Sequence, residues 1–182
     1  MKIIPHTEEM IQNARKKALE LGKLKNSITS GKGNIAGYLG EEAVASYIDA
    51  KIVSNDEGKD KFNHDLLKDT LRIEVKTKRR TVPPRDFYDV SIAESSLHQK
   101  PDLYIFVSLQ FKEFLKNKDG EIVYKQLENV WLLGQKEPEE YLKIASIWRA
   151  GDIDKSNNFF THETMYNVAI KDLDKVRWEY NL

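Results

Sequence analysis

The stretch HDLLKDTLRIEVKTKRR, residues 64–80, carries acidic and basic side chains at a spacing that is suited to chemistry. Its second half alternates between apolar and charged residues, which is the two-residue period of a β-strand. The charged positions, which would share one face of that strand, are Arg72, Glu74, Lys76 and Lys78. Such a face is either the solvent-exposed side of the strand or a reaction centre.

A short hairpin would place a second carboxylate beside Glu74. Residues 68–69 are predicted to form a two-residue turn between two antiparallel strands. Asp65 would then lie opposite Arg72, and Glu74 would be the diagonal neighbour of Asp65 on the same face. A three-residue turn would move Asp65 to the other face, so this prediction depends on the register of the hairpin.

Two neighbouring carboxylates repel each other and favour a bound cation. The sequence has no cysteine, and its four histidines lack metal-ligand spacing, so oxygen ligands indicate Mg²⁺ or Mn²⁺ rather than zinc. A lysine beside such a cation can position or help to deprotonate a water, and it can neutralise charge on a pentavalent phosphate. Asp65, Glu74 and Lys76 together therefore favour the hydrolysis of phosphodiesters.

Asp65, followed nine residues later by Glu74-Val75-Lys76, resembles the D…ExK core of the PD-(D/E)xK nuclease superfamily. The proline that usually precedes the aspartate is replaced by His64. A literal Pro-Asp pair at residues 101–102 comes after the ExK, and we interpret it as the turn that leads into an apolar strand.

The segment GYLGEEAVASYI, residues 37–48, resembles the GxxGE segment that many members carry on the helix before this core. In those members a glutamate of the helix reaches the metal site, and here the two candidates are Glu41 and Glu42. In a helical projection Glu41 lies on the small and apolar face that would pack against the sheet, so we prefer Glu41. The resemblance covers about residues 35–109.

The resemblance implies a metal-dependent endonuclease that hydrolyses DNA and has the restriction-endonuclease-like fold. Asp65 and Glu74 would bind Mg²⁺ (or Mn²⁺), and the Val75 carbonyl and the Glu41 carboxylate would complete the site. Lys76 would position the attacking water. Cleavage of both strands of a duplex would suit a homodimer.

A group of basic residues directly follows the ExK motif and would bind nucleic acid: Lys78, Arg79, Arg80 and Arg85. They would hold phosphates and fix the register of the DNA; the alternative is a solvated loop after the strand. The formal net charge of the chain is zero, so a polyanionic partner must be held by a local patch of this kind.

The whole chain is predicted to be a single α/β domain, residues 1–182, with a central mixed β-sheet flanked by helices. It would comprise an N-terminal helix and flexible connection (1–34), a catalytic core (35–111), and C-terminal strands and a helix (112–182). Helices are predicted from Thr7 onward and over 35–50 and 137–151. Strands are predicted over 51–54, 63–67, 71–78, 103–111, 130–133 and 165–170, with loops over 26–34, 117–120 and 156–164.

Composition excludes several other classes of protein. Hydrophobic residues make up 40% of the chain and charged residues 32%, which suits a globular protein. The N-terminal residues lack the apolar core of a signal peptide, and the most apolar run, LYIFVSL, is too short to span a bilayer, so we expect a cytoplasmic protein without a membrane partner.

Two alternatives to a nuclease remain. One is a non-catalytic nucleic-acid-binding module with the same fold, although the intact Asp65, Glu74 and Lys76 argue against a degenerate member. The other is a structural protein whose charged strand face lies in water.

Overall fold

The computed structural model describes residues 1–22, 35–53, 64–116, 118, 122–154 and 159–178. The predicted connection over 26–34 lies outside the described residues, as does the predicted turn over 117–120 apart from Lys118. In chain order the helices and strands are β1 (Lys2–Ile4), α1 (Glu8–Gly22), α2 (Ile35–Ile48), β2 (Lys51–Ile52), β3 (Leu66–Lys68), β4 (Leu71–Arg80), β5 (Asp89–Ala93), β6 (Leu103–Lys116), β7 (Ile122–Lys136), α3 (Pro138–Ile144), β8 (Ser146–Trp148), β9 (Ile153–Asp154), β10 (Phe159–Phe160) and β11 (Met165–Ala169).

Six strands form one mixed sheet in the order β1-β7-β6-β4-β3-β2. β4 and β6 are parallel, whereas the other neighbouring pairs are antiparallel. A smaller antiparallel sheet has the order β5-β11-β8, and β9 pairs with β10. The predicted α/β class with a mixed sheet is therefore confirmed.

The main sheet buries apolar residues on both faces. Helices α1 and α2 cover one face and pack on alternate residues of the central strands, among them Ile73, Val75 and Ile105. The intervening residues of β6, Tyr104 and Phe106, pack on the other face against β5, β11 and the buried ring of Tyr141. This two-sided burial explains why β6 is nearly continuously apolar in sequence.

The N-terminal helix begins as predicted. The backbone amide of Met10 donates to Oγ1 of Thr7 at 3.2 Å, so Thr7 caps α1, and Glu8 and Glu9 lie in its first turn. Acidic side chains at this end are favoured by the helix dipole.

The prediction of a helix over residues 137–151 is wrong in its second half. The helix α3 ends at Ile144, and Ala145 is extended, with φ −68° and ψ 136°. Residues 146–148 then pair with β11, because the backbone groups of β11 are open on that side and β-branched and aromatic residues favour a strand.

Other strand predictions need extension or correction. The predicted strand over 103–111 is the N-terminal part of β6, and the predicted strand over 130–133 lies within β7. Both observed strands are longer than predicted, and they pair as a hairpin. Phe159 and Phe160, predicted in a loop, pair instead with Ile153–Asp154. No helix among the described residues is long and apolar enough to cross a membrane.

Candidate active site

The hairpin of β3 and β4 places Asp65 beside Glu74, although its register differs from the predicted one. The turn consists of Asp69 and Thr70, and Leu67 rather than Asp65 lies opposite Arg72. The predicted turn was thus one residue too early. Asp69 has a φ of 54°, a left-handed conformation that aspartate tolerates, and this allows the turn to form there.

The corrected register leaves Asp65 on the predicted face. Each residue of β3 pairs two positions further along β4 than predicted, and a shift of two keeps every side chain on its face. The Asp65 amide donates to the Ile73 carbonyl at 2.9 Å. Its carboxylate oxygen Oδ2 accepts the Val75 amide at 2.8 Å, so the side chain is fixed against the backbone of the ExK segment.

Glu74 and Lys76 form an ion pair in this site. Nζ of Lys76 donates to Oε1 of Glu74 at 2.8 Å and to Oε1 of Gln99 at 3.1 Å. The Glu74 side chain is 6% exposed, and its second oxygen, Oε2, is buried without a hydrogen-bond partner in the described structure. Burying a carboxylate oxygen without a partner costs free energy, so this atom is suited to bind a cation.

Helix α2 brings the third carboxylate. A β-carbon at Gly40 would overlap the hydroxyl of Thr77, so glycine at this position lets the helix lie directly on β4. The next residue, Glu41, then lies close enough to Asp65 and Glu74 for their charges to affect one another. Its neighbour Glu42 instead forms an ion pair with Lys17 of α1, at 2.8 Å.

Burial and mutual repulsion raise the pKa values of two of these carboxyl groups. Burial raises the pKa of Glu41 to about 7; the Lys17 charge opposes this increase, and Glu74 and Glu42 add to it. Burial, followed by Glu41 and Glu74, raises the pKa of Asp65 well above its usual range, although the Val75 amide and Lys76 act in the opposite direction. The site therefore has an excess of negative charge.

The residues present fit a divalent cation in chemistry and in charge. Four carboxylates and two ammonium groups interact here, which leaves two uncompensated negative charges when all are ionised: Glu41, Glu42, Asp65, Glu74, Lys17 and Lys76. Oxygen ligands suit Mg²⁺ or Mn²⁺. In the described part of the chain, however, no three acidic or histidine side chains already converge on one point as a complete ligand set. Oδ2 of Asp65 accepts the Val75 amide, and Oε1 of Glu74 accepts the Lys76 ammonium, so these two oxygens already have partners.

The four residues predicted to bind nucleic acid fall into two pairs. Nζ of Lys78 donates to the Asp89 carbonyl at 3.0 Å and to Oγ of Ser91 at 2.8 Å, and burial lowers its pKa to about 8. Arg80 donates to the same carbonyl at 3.2 Å and lies over the Tyr88 ring.

The second pair is exposed. Arg79 and Arg85 both lie at the surface, and the Arg85 guanidinium lies 5.9 Å from the ring centroid of Phe87. This pair is therefore the more accessible to a phosphate.

The Pro101-Asp102 pair leads into β6, as predicted. The Asp102 carboxylate accepts hydrogen bonds from the backbone amide of Arg72 at 2.8 Å and from its guanidinium at 2.8 and 3.1 Å. The Asp102 amide donates back to the Arg72 carbonyl at 2.8 Å. These hydrogen bonds from Arg72 lower the pKa of Asp102 to about 2. Asp102 thus connects the N-terminal ends of β4 and β6. It is not part of the carboxylate cluster.

Two residues near the site were missed in the sequence. Gln99 lies between β5 and β6, and Lys17 lies on α1, so both reach the site through contacts between segments distant in sequence. No local pattern marks either residue.

No protein-family model and no curated protein matches this sequence. Function must therefore be inferred from the chemistry of the site.

Proposed function

We propose that the protein is a metal-dependent nuclease of the PD-(D/E)xK type that hydrolyses DNA phosphodiester bonds. One observation carries the proposal: Asp65, Glu74 and Glu41, from three different segments of the chain, meet in one partly buried cluster with Lys76 bonded to Glu74. The mixed sheet with α2 packed on β4 is compatible with a restriction-endonuclease-like core.

Asp65 and Glu74 would hold Mg²⁺ or Mn²⁺, with Glu41 and the Val75 carbonyl as further ligands. The bound cation would supply Lewis-acid stabilisation of the phosphate and a more acidic water. Oε2 of Glu74, which is buried and has no hydrogen-bond partner in the described part of the chain, is the oxygen that is best suited to gain a ligand.

Lys76 would act on the substrate rather than on the cation. Its ammonium is fixed by Glu74 and Gln99, and two acceptors leave one of its three N–H groups for a water or a phosphate oxygen. A preorganised charge of this kind stabilises the negative charge that develops in the transition state.

DNA would be held beside this site by basic residues. Arg79 and Arg85 are exposed near the end of β4 and in the segment that follows it, so they would contact phosphates. Lys78 and Arg80 already donate to the Asp89 carbonyl. They would therefore contribute to DNA binding mainly by lining the inner side of this basic region.

The alternative function is that of a nucleic-acid-binding module that does not cleave DNA. The observation in its favour is that the three carboxylates of the described structure do not yet converge as a complete ligand set. A binding module would need no divalent cation, whereas a nuclease of this type requires one.

The test is incubation of the purified protein with supercoiled, linear, branched and single-stranded DNA. Each reaction contains Mg²⁺, Mn²⁺ or EDTA, and the Glu74→Gln variant serves as the matched control. We expect cleavage that requires the metal and is lost in the variant. Binding of DNA without cleavage of any form, together with no metal binding by calorimetry, would support the binding module instead.

A further inference from the structure

The N-terminal helix α1 reaches the carboxylate cluster through one side chain. Ala14 and Ala18 are buried against the neighbouring elements, and the small side chains let α1 lie close to α2. Lys17 lies between them in sequence, and its Nζ lies 2.8 Å from Oε1 of Glu42. The side chains of Lys17 and Glu42 are only 33% and 14% exposed, so this is a largely enclosed ion pair.

Helix α2 presents two consecutive glutamates to this region. Successive residues of a helix point about 100° apart, yet the charge of Glu42 still acts on Glu41. Glu42 is therefore near enough to compete with Glu41 for one cation. The structure gives them different partners. Glu42 is bonded to Lys17, whereas Glu41 interacts with Asp65 and Glu74 and is also affected by the charges of Lys17 and Glu42.

We propose that Lys17 is a positioning residue that keeps Glu42 away from the metal and leaves Glu41 as the ligand. This inference rests on the proposed function, and it makes α1 part of the working site. Without Lys17, Glu42 would be an enclosed carboxylate without its counter-charge, which is costly. The bound cation would then supply the positive charge that the ammonium group had supplied.

When Lys17 is removed, we expect metal affinity and turnover to change in opposite directions. Removing a nearby positive charge and releasing a carboxylate should strengthen cation binding. A ligand in the wrong position should slow the chemical step, because small errors in geometry are expensive in rate. If Lys17 only supported the packing of α1, its removal would weaken both cation binding and turnover.

The experiment compares Lys17→Met, Lys17→Arg, Glu42→Gln and the double variant Lys17→Met/Glu42→Gln, all as the full chain. Lys16→Met is the matched control, because Lys16 is the exposed neighbour on the same helix. Mn²⁺ binding is measured by calorimetry and DNA cleavage in single-turnover mode, after circular dichroism has shown that each variant is folded.

We expect Lys17→Met to bind Mn²⁺ about tenfold more tightly and to cut about tenfold more slowly, on the scale of one unit charge at a partly buried site. Adding Glu42→Gln should return both values towards those of the wild type, since no carboxylate is then released. Lys17→Arg should retain most of the wild-type behaviour.

Three results would overturn the inference. If Lys17→Met matches Lys16→Met in both measurements, Lys17 has no positioning role, and the nuclease proposal stands. If Lys17→Met weakens metal binding and cleavage together and Glu42→Gln does not restore them, the contact only supports helix packing. If the wild type binds no Mn²⁺, the proposed function fails and this inference fails with it. If the wild type binds Mn²⁺ but does not cut DNA, the Mn²⁺ affinities of the variants, measured by calorimetry, still decide whether Lys17 has this role.

Discussion

The two halves of the charged face of β4 lie in opposite surroundings. In the first half, Glu74 and Lys76 face a cluster of carboxylates, and Oε2 of Glu74 is buried without a partner among the described residues. In the second half, Lys78 and Arg80 both donate to the backbone carbonyl of Asp89 on β5. One alternating pattern in the sequence thus produces one region with an excess of negative charge and another with an excess of positive charge.

This contrast indicates where on a charged strand chemistry is to be expected. A buried charge with a fixed protein partner supports the fold, and replacing it changes stability. A buried charge without a partner is kept at a cost, which suggests a ligand or a reaction. The first half of the strand should therefore respond to mutation in activity, and the second half chiefly in stability and DNA binding.

The largest effect is expected for the two central carboxylates. Asp65→Asn or Glu74→Gln keeps the size of each side chain and removes a charged ligand of the cation, so metal-dependent cleavage should fall at least about 10³-fold, a loss of several kcal/mol of stabilisation. Single-turnover cleavage of plasmid DNA measures it, with the exposed Asp86→Asn as control. Nicking at the wild-type rate by either folded variant would show that the first half of β4 is not a reaction centre.

Lys76→Met should reduce single-turnover cleavage by about 10²-fold, the usual scale for losing a preorganised charge. Cation binding and folding should survive, because methionine keeps the apolar stem. DNA affinity, measured on the same substrate, should change little, since Arg79 and Arg85 remain. An equal loss of binding and cleavage would instead make Lys76 a phosphate anchor and remove the contrast between the two halves.

Lys78 should show its effect in the pH dependence of stability. Burial lowers its pKa from 10.5 to about 8, so above pH 8 the folded protein loses this proton while the unfolded chain keeps it. The unfolded state then binds more protons, and the contribution of Lys78 to the free energy of unfolding rises with pH, by about 2 kcal/mol between pH 7.5 and 9.5. Urea unfolding at both pH values should show this rise in the wild type and not in Lys78→Met. The same pH dependence in both proteins would mean that Lys78 is solvated.

The smallest effect concerns the salt dependence of DNA binding. Arg79→Ala removes an exposed guanidinium, and each lost phosphate contact should reduce the slope of log affinity against log salt by about 0.9 on duplex DNA. Arg80→Ala should change the slope less, because its guanidinium is held by Asp89 and Tyr88. The reverse order would show that Arg80 leaves these partners when DNA binds.

Local patterns in the sequence were sufficient for α2, β4 and the face that Asp65 shares with Glu74. Alternation fixes which side chains share a face, and it survived an error in the position of the turn because the error shifted the pairing by two. The exact turn depended on the ability of Asp69 to adopt a positive φ, which does not follow from the pattern of apolar residues.

The surroundings of the charged face were less predictable from the sequence. β5 was missed, although Val90 and Ile92 alternate with polar residues and give a weak strand signal. Without β5, nothing in the sequence separates Lys78 from Lys76. Lys17 and Gln99 were missed because contacts across 25 and 23 positions arise from packing and leave no local trace.

The hydrogen bonds between Arg72 and Asp102 also have a consequence for how the chain folds. β3 and β4 form a local hairpin, whereas the parallel pairing of β4 with β6 must first close a long loop, which is slow. Because Arg72 and Asp102 join the two strands where both begin, they select one register for the whole parallel ladder. A slip by one residue would exchange the residues that enter the two cores. We therefore expect Arg72→Ala to slow refolding more than it speeds unfolding, as stopped-flow kinetics would show, which would make this surface ion pair a kinetic guide for assembly of the sheet.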